Sequence, residues 1–237
     1  FVYTSTWIEK LNDSAQSTNL DLIKIISETN IDTNYLYEND KFLDEKIGFI
    51  AKNCSNVLDV GKCTRSRFSL FKPKQVTTVD INQYEGYPDV VDDLCNITKL
   101  KWGAYDGIIC MSVIEHVYAP HLAVDNIHKL LSDDGYCLIH VPFLFRYHGT
   151  DDLSLQDYYR FSRDGLAYLF RDFNDVTIFP IRGSHSTIFN LFKFWKPKVE
   201  KYTGQSINKG IDTIARFFSR RDDKVRQASG YYLWAKK

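Results

Sequence analysis

The chain has 237 residues, 44% of them hydrophobic and 15% aromatic, enough for a substantial core within a single domain. Thirty basic residues balance thirty acidic ones, so the basic excess of a nucleic-acid-binding domain is missing and no nucleic-acid partner is expected. No stretch reaches the roughly 18 apolar residues of a membrane span. Phe1 to Lys10 lack a basic-then-apolar leader, and the five scattered cysteines form no C-x-x-C pair, so a reducing, cytoplasmic location without a metal is expected.

Along the chain, Leu20 to Ile26 and Phe42 to Ala51 carry helical spacing, and residues 1–54 are expected to form a helical cap that leads into the first strand. Short apolar runs then recur at Asn56–Val60, Gln75–Asp80, Asp89–Val91, Tyr105–Cys110 and Gly135–Val141, each the length of a buried strand. Between the last two, Leu122, Val124, Ile127, Leu130 and Leu131 mark a helix that Ser132-Asp133-Asp134-Gly135 should stop. Strand, helix and strand at this spacing imply a right-handed parallel crossover, and the fold class is a Rossmann-like, doubly wound α/β sheet with its core at 55–190. Val176–Phe179 and Tyr231–Trp234 read as further strands at the far side of the sheet, the second within 229–237. Before that last strand, a helical insertion over 191–228 is set apart by charge. Its stretch Phe192 to Arg226 holds ten basic and four acidic residues, a net of +6. Ile207, Ile211, Ile214 and Phe218 share a helical face there. This suits a core-packing helix with a solvated charged back, or peripheral membrane contact through 192–226.

In a doubly wound sheet, ligands bind beyond the carboxyl ends of the strands where strand order reverses. The first strand ends in Asp59-Val60-Gly61, and the second in Asp80-Ile81, where a carboxylate can accept bonds from both hydroxyls of a ribose. Asp92-Asp93-Leu94 follows the third strand and either reaches the exocyclic amine of an adenine or caps a turn.

The run Tyr105-Asp106-Gly107-Ile108-Ile109-Cys110-Met111-Ser112-Val113-Ile114-Glu115-His116-Val117, followed by Leu130-Leu131-Ser132-Asp133-Asp134-Gly135-Tyr136, resembles the fourth and fifth strand motifs of class I S-adenosylmethionine-dependent methyltransferases. With V-L-D-V-G and T-V-D-I at matching separations, the resemblance spans about Asn56 to Val141. It implies a seven-stranded sheet with an antiparallel strand near the C-terminus and S-adenosyl-L-methionine as cofactor. The cofactor would be held by Asp59, Gly61, Asp80, Ile81, Asp93, Leu94, Met111 and Glu115, the last at the methionine amine or bracing nearby loops. The family's loop D-x-G-x-G-x-G reads Asp59-Val60-Gly61-Lys62-Cys63-Thr64-Arg65 here and keeps only Gly61, which leaves a non-catalytic binding or scaffold domain as the alternative. The same loop lacks the G-x-G-x-x-G turn of a dinucleotide site.

Beyond the fifth strand, Val141-Pro142-Phe143 to His148 and Asp157-Tyr158-Tyr159-Arg160-Phe161-Ser162 are similar to a pattern in a subgroup of these enzymes linked to bacterial surface-glycan biosynthesis. The resemblance implies O-methylation of a small-molecule or glycan-linked acceptor in surface-polysaccharide or related biosynthesis. His148 is the first choice of general base and His116 the second, with Tyr147, Asp157, Tyr158 and Arg160 on the substrate side. Arg160 equally suits a brace to Asp157, and Ser162 a helix N-cap. His121, His128, His140 and His185 lack comparable context.

Overall fold

The structure is a computed structural model that describes residues 13–36, 38–61, 65–151, 155–183, 187, 217 and 227–237. In chain order the elements are α1 (Asp13–Glu28), β1 (Asn30–Ile31), α2 (Asn39–Asn53), β2 (Val57–Val60), β3 (Val76–Asp80), β4 (Val90–Val91) and β5 (Tyr105–Met111). They continue with α3 (Pro120–Leu130), β6 (Leu131–Pro142), α4 (Arg163–Leu169), β7 (Asn174–Ile181) and β8 (Gly230–Lys236). Short 3₁₀ turns occupy Arg65–Leu70 and Ile114–His116. The basic stretch 192–226, and with it the expected amphipathic helix, lies outside the described residues apart from Phe217.

One eight-stranded sheet runs in the order β1-β7-β8-β6-β5-β2-β3-β4. β2 pairs in parallel with β3 and β5, and β5 with β6, whereas β8 is antiparallel to both neighbours, β6 and β7. This is the expected sheet with its reversed strand near the C-terminus, extended at one edge by β1, whose two residues pair with Thr177 and Ile178. So short a strand is invisible to periodicity. From β2 the chain winds outward through β3 and β4, then returns to the other side of β2 as β5. The reversal of strand order, and so the crevice, falls between β2 and β5.

Alternation along the strands covers both faces. Leu58, Val60, Ile108 and Cys110 pack with Ala123, Val124, Ile127 and Leu130 of α3 and Leu166 of α4. On the other face Val57, Ile109, Leu138 and Phe179 meet Phe42, Ile47 and Ile50 of α2. Each side chain buried so completely contributes roughly 1.5–3 kcal/mol. α2 therefore covers this face of the sheet, while α1 packs against α4. α3 starts at Pro120, which has no amide hydrogen to leave unbonded. It stops at Leu130, and β6 begins four residues before the expected Gly135, because Leu131 already pairs with Tyr105 across an irregular stretch of ladder. The four described cysteines are buried and in no disulfide. Among the described residues no helix is long and apolar enough to cross a membrane.

Candidate functional site

At the crevice, β2 delivers Gly61 with φ +72°, its amide donating to the Val79 carbonyl at 2.9 Å. A Cβ here would stand 2.7 Å from Val113 Cγ2 in the segment after β5, so the close approach of the two loops needs a glycine. Asp59, on β2 itself, is fully buried. Asp80 ends β3, where one carboxylate oxygen accepts from the Asn82 amide at 3.0 Å and the other from the Tyr87 hydroxyl at 3.3 Å. Beside it Ile81 is 61% exposed.

The two aspartates after β4 divide their work. Asp92 is buried and accepts from the amides of Thr98, Lys99 and Leu100 and from the Thr98 hydroxyl, at 2.8–3.1 Å. Burial alone would raise its carboxyl pKa, but these donors outweigh it and hold it below the ordinary value. Asp93 is half-buried and accepts from the Cys95 amide at 2.8 Å and the Tyr118 hydroxyl at 3.0 Å. Leu94 is packed into the core, and Met111 is half-buried at the end of β5.

Beyond Met111, Ser112 takes φ +56°, uncommon for a residue with a Cβ, and turns the chain into the 3₁₀ turn that carries Glu115 and His116. The Glu115 carbonyl accepts from the amides of Tyr158 and Tyr159, at 2.9 and 3.1 Å, and so ties this turn to the loop after β6. That loop brings His148 against His116, with their Nε2 atoms 3.0 Å apart. Glu115 Oε1 lies 3.7 Å from Nε2 of His116 and 3.8 Å from that of His148. The Glu115 side chain is completely buried, and neither carboxylate oxygen has a hydrogen-bond partner of good geometry. Burial pushes its pKa up to about 7, opposed in part by its own backbone amide. Burial likewise lowers the pKa of His116.

The far nitrogens of both imidazoles are held. His116 Nδ1 meets the Gln156 carbonyl. His148 Nδ1 lies 3.1 Å from Asp157 Oδ2 and 3.2 Å from the Arg146 carbonyl. Arg160 grips both oxygens of Asp157 and also donates to the Arg146 carbonyl at 2.7 Å. That guanidinium drives the Asp157 carboxyl down to about 2. Asp157 and Arg160, expected on the substrate side, thus brace His148. Tyr147 and Tyr158, also expected on the substrate side, are 67% and 51% exposed and do not line the pocket beside this cluster.

A pocket of about 330 Å³ opens beside the cluster, lined among others by Ser112, Glu115, His140, His148, Arg182 and Tyr232. His140, which had no functional context in the sequence, thus lines this pocket. Its Nδ1 lies 2.7 Å from Ser112 Oγ, its ring tilts against Tyr232, and burial lowers its pKa to about 4. The signal was its position on the same face of β6 as Leu138, near the strand's carboxyl end. Tyr232 carried no such signal, because its place beside β6 depends on the late strand β8.

The strand order and its reversal between β2 and β5 are those of a Rossmann-like, doubly wound α/β sheet with a crevice at its switch point. A family model described as a methyltransferase domain matches residues 33–178. The chain belongs to this family, and so to the class I S-adenosylmethionine-dependent methyltransferases. No curated protein sequence matches. Among solved structures, a SAM-dependent methyltransferase from Archaeoglobus fulgidus is similar with TM-score 0.52 and 17% identity, over 84% of this chain and 93% of that one. Phosphoethanolamine N-methyltransferase 2 from Haemonchus contortus is similar with TM-score 0.53 and 15% identity, over 95% of this chain and 59% of the other. At such identities the likeness concerns the fold.

Proposed function

We propose that the chain transfers the methyl group of S-adenosylmethionine to a hydroxyl of a small or glycan-linked acceptor bound in the pocket beside His148, in surface-polysaccharide or related biosynthesis. The observation that carries this reading is the His116–His148–Glu115 cluster, braced by Asp157 and Arg160, with Glu115 and His148 lining a pocket.

The crevice fits the cofactor: Asp80 offers carboxylate oxygens that can turn to a vicinal diol, and exposed Ile81 gives an apolar face for a purine. Gly61 lets the backbone pass close to the ligand, and Asp93 and Met111 line the adenine and methionine sides. Bound there, S-adenosylmethionine supplies an activated methyl on a sulfonium sulfur, so orientation of the acceptor is the main task left to the protein. A hydroxyl also has to lose its proton. His148 is placed to accept it at Nε2, because Asp157 holds the opposite edge of the ring. His116 stands 3.0 Å away as the next acceptor in line. Exposed aromatic side chains, Phe145 and Tyr147, give a surface on which a sugar ring can stack.

The test is methyl transfer followed by mass spectrometry, offering hydroxylated sugars and nucleotide-activated sugars against a matched panel of amines. The proposal predicts O-methylated product, lost in His148→Ala while affinity for S-adenosylhomocysteine is retained. Turnover of amines alone would overturn the oxygen assignment, and full activity in His148→Ala the role of that imidazole.

A further inference from the structure

The arrangement of nitrogens in the cluster leaves a positive charge missing. His116 Nδ1 faces a carbonyl oxygen, which can only accept, so this nitrogen carries the hydrogen and Nε2 presents a lone pair. His148 Nδ1 faces Asp157 Oδ2 and the Arg146 carbonyl, two more acceptors. The Arg160 nitrogen 3.4 Å from it is already bonded, at 2.6 and 2.7 Å, to Asp157 and the Arg146 carbonyl. Both Nε2 lone pairs therefore converge at 3.0 Å, with a wholly buried, unpartnered carboxylate aimed between them. Three acceptors meeting in a buried corner repel one another unless a proton or a metal cation sits among them.

We infer that Glu115, His116 and His148 form a binding site for a divalent transition-metal ion of the zinc type. Donor oxygen and nitrogen atoms at mutual distances of 3.0, 3.7 and 3.8 Å lie on a circle of radius about 2 Å, the usual length of zinc–nitrogen and zinc–oxygen bonds. Two imidazoles and one carboxylate suit such ions, and three protein ligands leave a position open toward the pocket. The outer shell is also that of a metal centre: a carbonyl behind one imidazole and an Arg-held carboxylate behind the other fix which nitrogen is presented. This departs from the absence of a metal expected from the sequence, where the cysteines were the only candidates weighed and His148 stands 32 residues from its partner. The site itself depends on this geometry alone. Its bearing on methyl transfer rests on the proposed function: with an ion bound, His148 Nε2 would be occupied as a ligand, and an acceptor hydroxyl held at the open position would be made more acidic by the ion instead of giving its proton to a free imidazole.

The experiment is calorimetric titration of the chelator-stripped full chain with zinc chloride, without cofactor or acceptor, repeated with cobalt chloride while following visible absorption. One ion per chain is expected at micromolar affinity or tighter, with a cobalt spectrum of a nitrogen- and oxygen-ligated centre. His148→Ala should weaken binding at least 100-fold and Glu115→Gln at least 10-fold, with His121→Ala unchanged. If Glu115→Gln fails to fold, His148→Ala decides, since that side chain is partly exposed on a loop. No binding by the native chain, or unchanged binding by His148→Ala, overturns the inference and points to a shared proton between the imidazoles. Either outcome leaves the methyl-transfer reading to its own test.

Discussion

Single carboxylates in this chain do unlike work according to their donors. Asp92 organises residues 92–100 by accepting from a row of backbone amides, and its pKa is held down by them. A carboxyl depressed on folding stabilises the protein above its unfolded-state pKa, and that stabilisation is lost as the pH falls through the folded-state value. Asp92→Asn should thus cost about 1–3 kcal/mol at neutral pH. In thermal melts the gap from the native chain should narrow below about pH 4; a gap that widens there would contradict the assignment. Asp80 sits exposed enough to meet a ligand, and Asp80→Ala should weaken binding of S-adenosylhomocysteine roughly 10- to 100-fold with little change in stability. Asp80 was legible in the sequence because a strand end fixes where its side chain goes. Glu115 was legible only as a position: what surrounds its carboxylate comes from His148, 33 residues on, and from a loop whose course no local pattern dictates.

At the level of elements, caps and turns followed the rules of local chemistry. Ser162 Oγ accepts from the Gly165 amide at 3.1 Å, as expected of an N-cap, and α4 then places Leu166 and Ala167 in the core. Ser162→Ala should cost about 1 kcal/mol, a drop of a few degrees in melting temperature. An unchanged melt would show that packing alone holds the helix. Gly61→Ala forces a Cβ onto Val113 at positive φ, and should cost at least about 1–2 kcal/mol. It should weaken cofactor binding at the same time, and unimpaired binding would show that the loop at β2 is more compliant than its contacts suggest. Buried strands and α3 announced themselves by apolar runs and by helical spacing. β1 and the early start of β6 did not, because both are made by pairing with distant partners, Thr177 and Tyr105.

Across the whole molecule, the alternation of strand and helix was enough to imply a doubly wound sheet and the two late runs to imply further strands at its far side, while the reversed strand was implied by the resemblance to the methyltransferase family. Order along the sheet was not, since β8 inserts between β6 and β7 by pairings across 88 to 100 residues on the β6 side. The pocket suffers the same limit: Ser112, His140, Ile181 and Tyr232 come from the ends or bodies of four different strands and meet only after the sheet forms. Under the proposed function the cofactor binds at the switch between β2 and β5. The most direct measurement is calorimetric titration of the native chain with S-adenosylhomocysteine beside Asp80→Ala. One saturable site in the native chain, weakened by the substitution, is the predicted result. Absence of binding to the folded native chain would contradict the account at its centre.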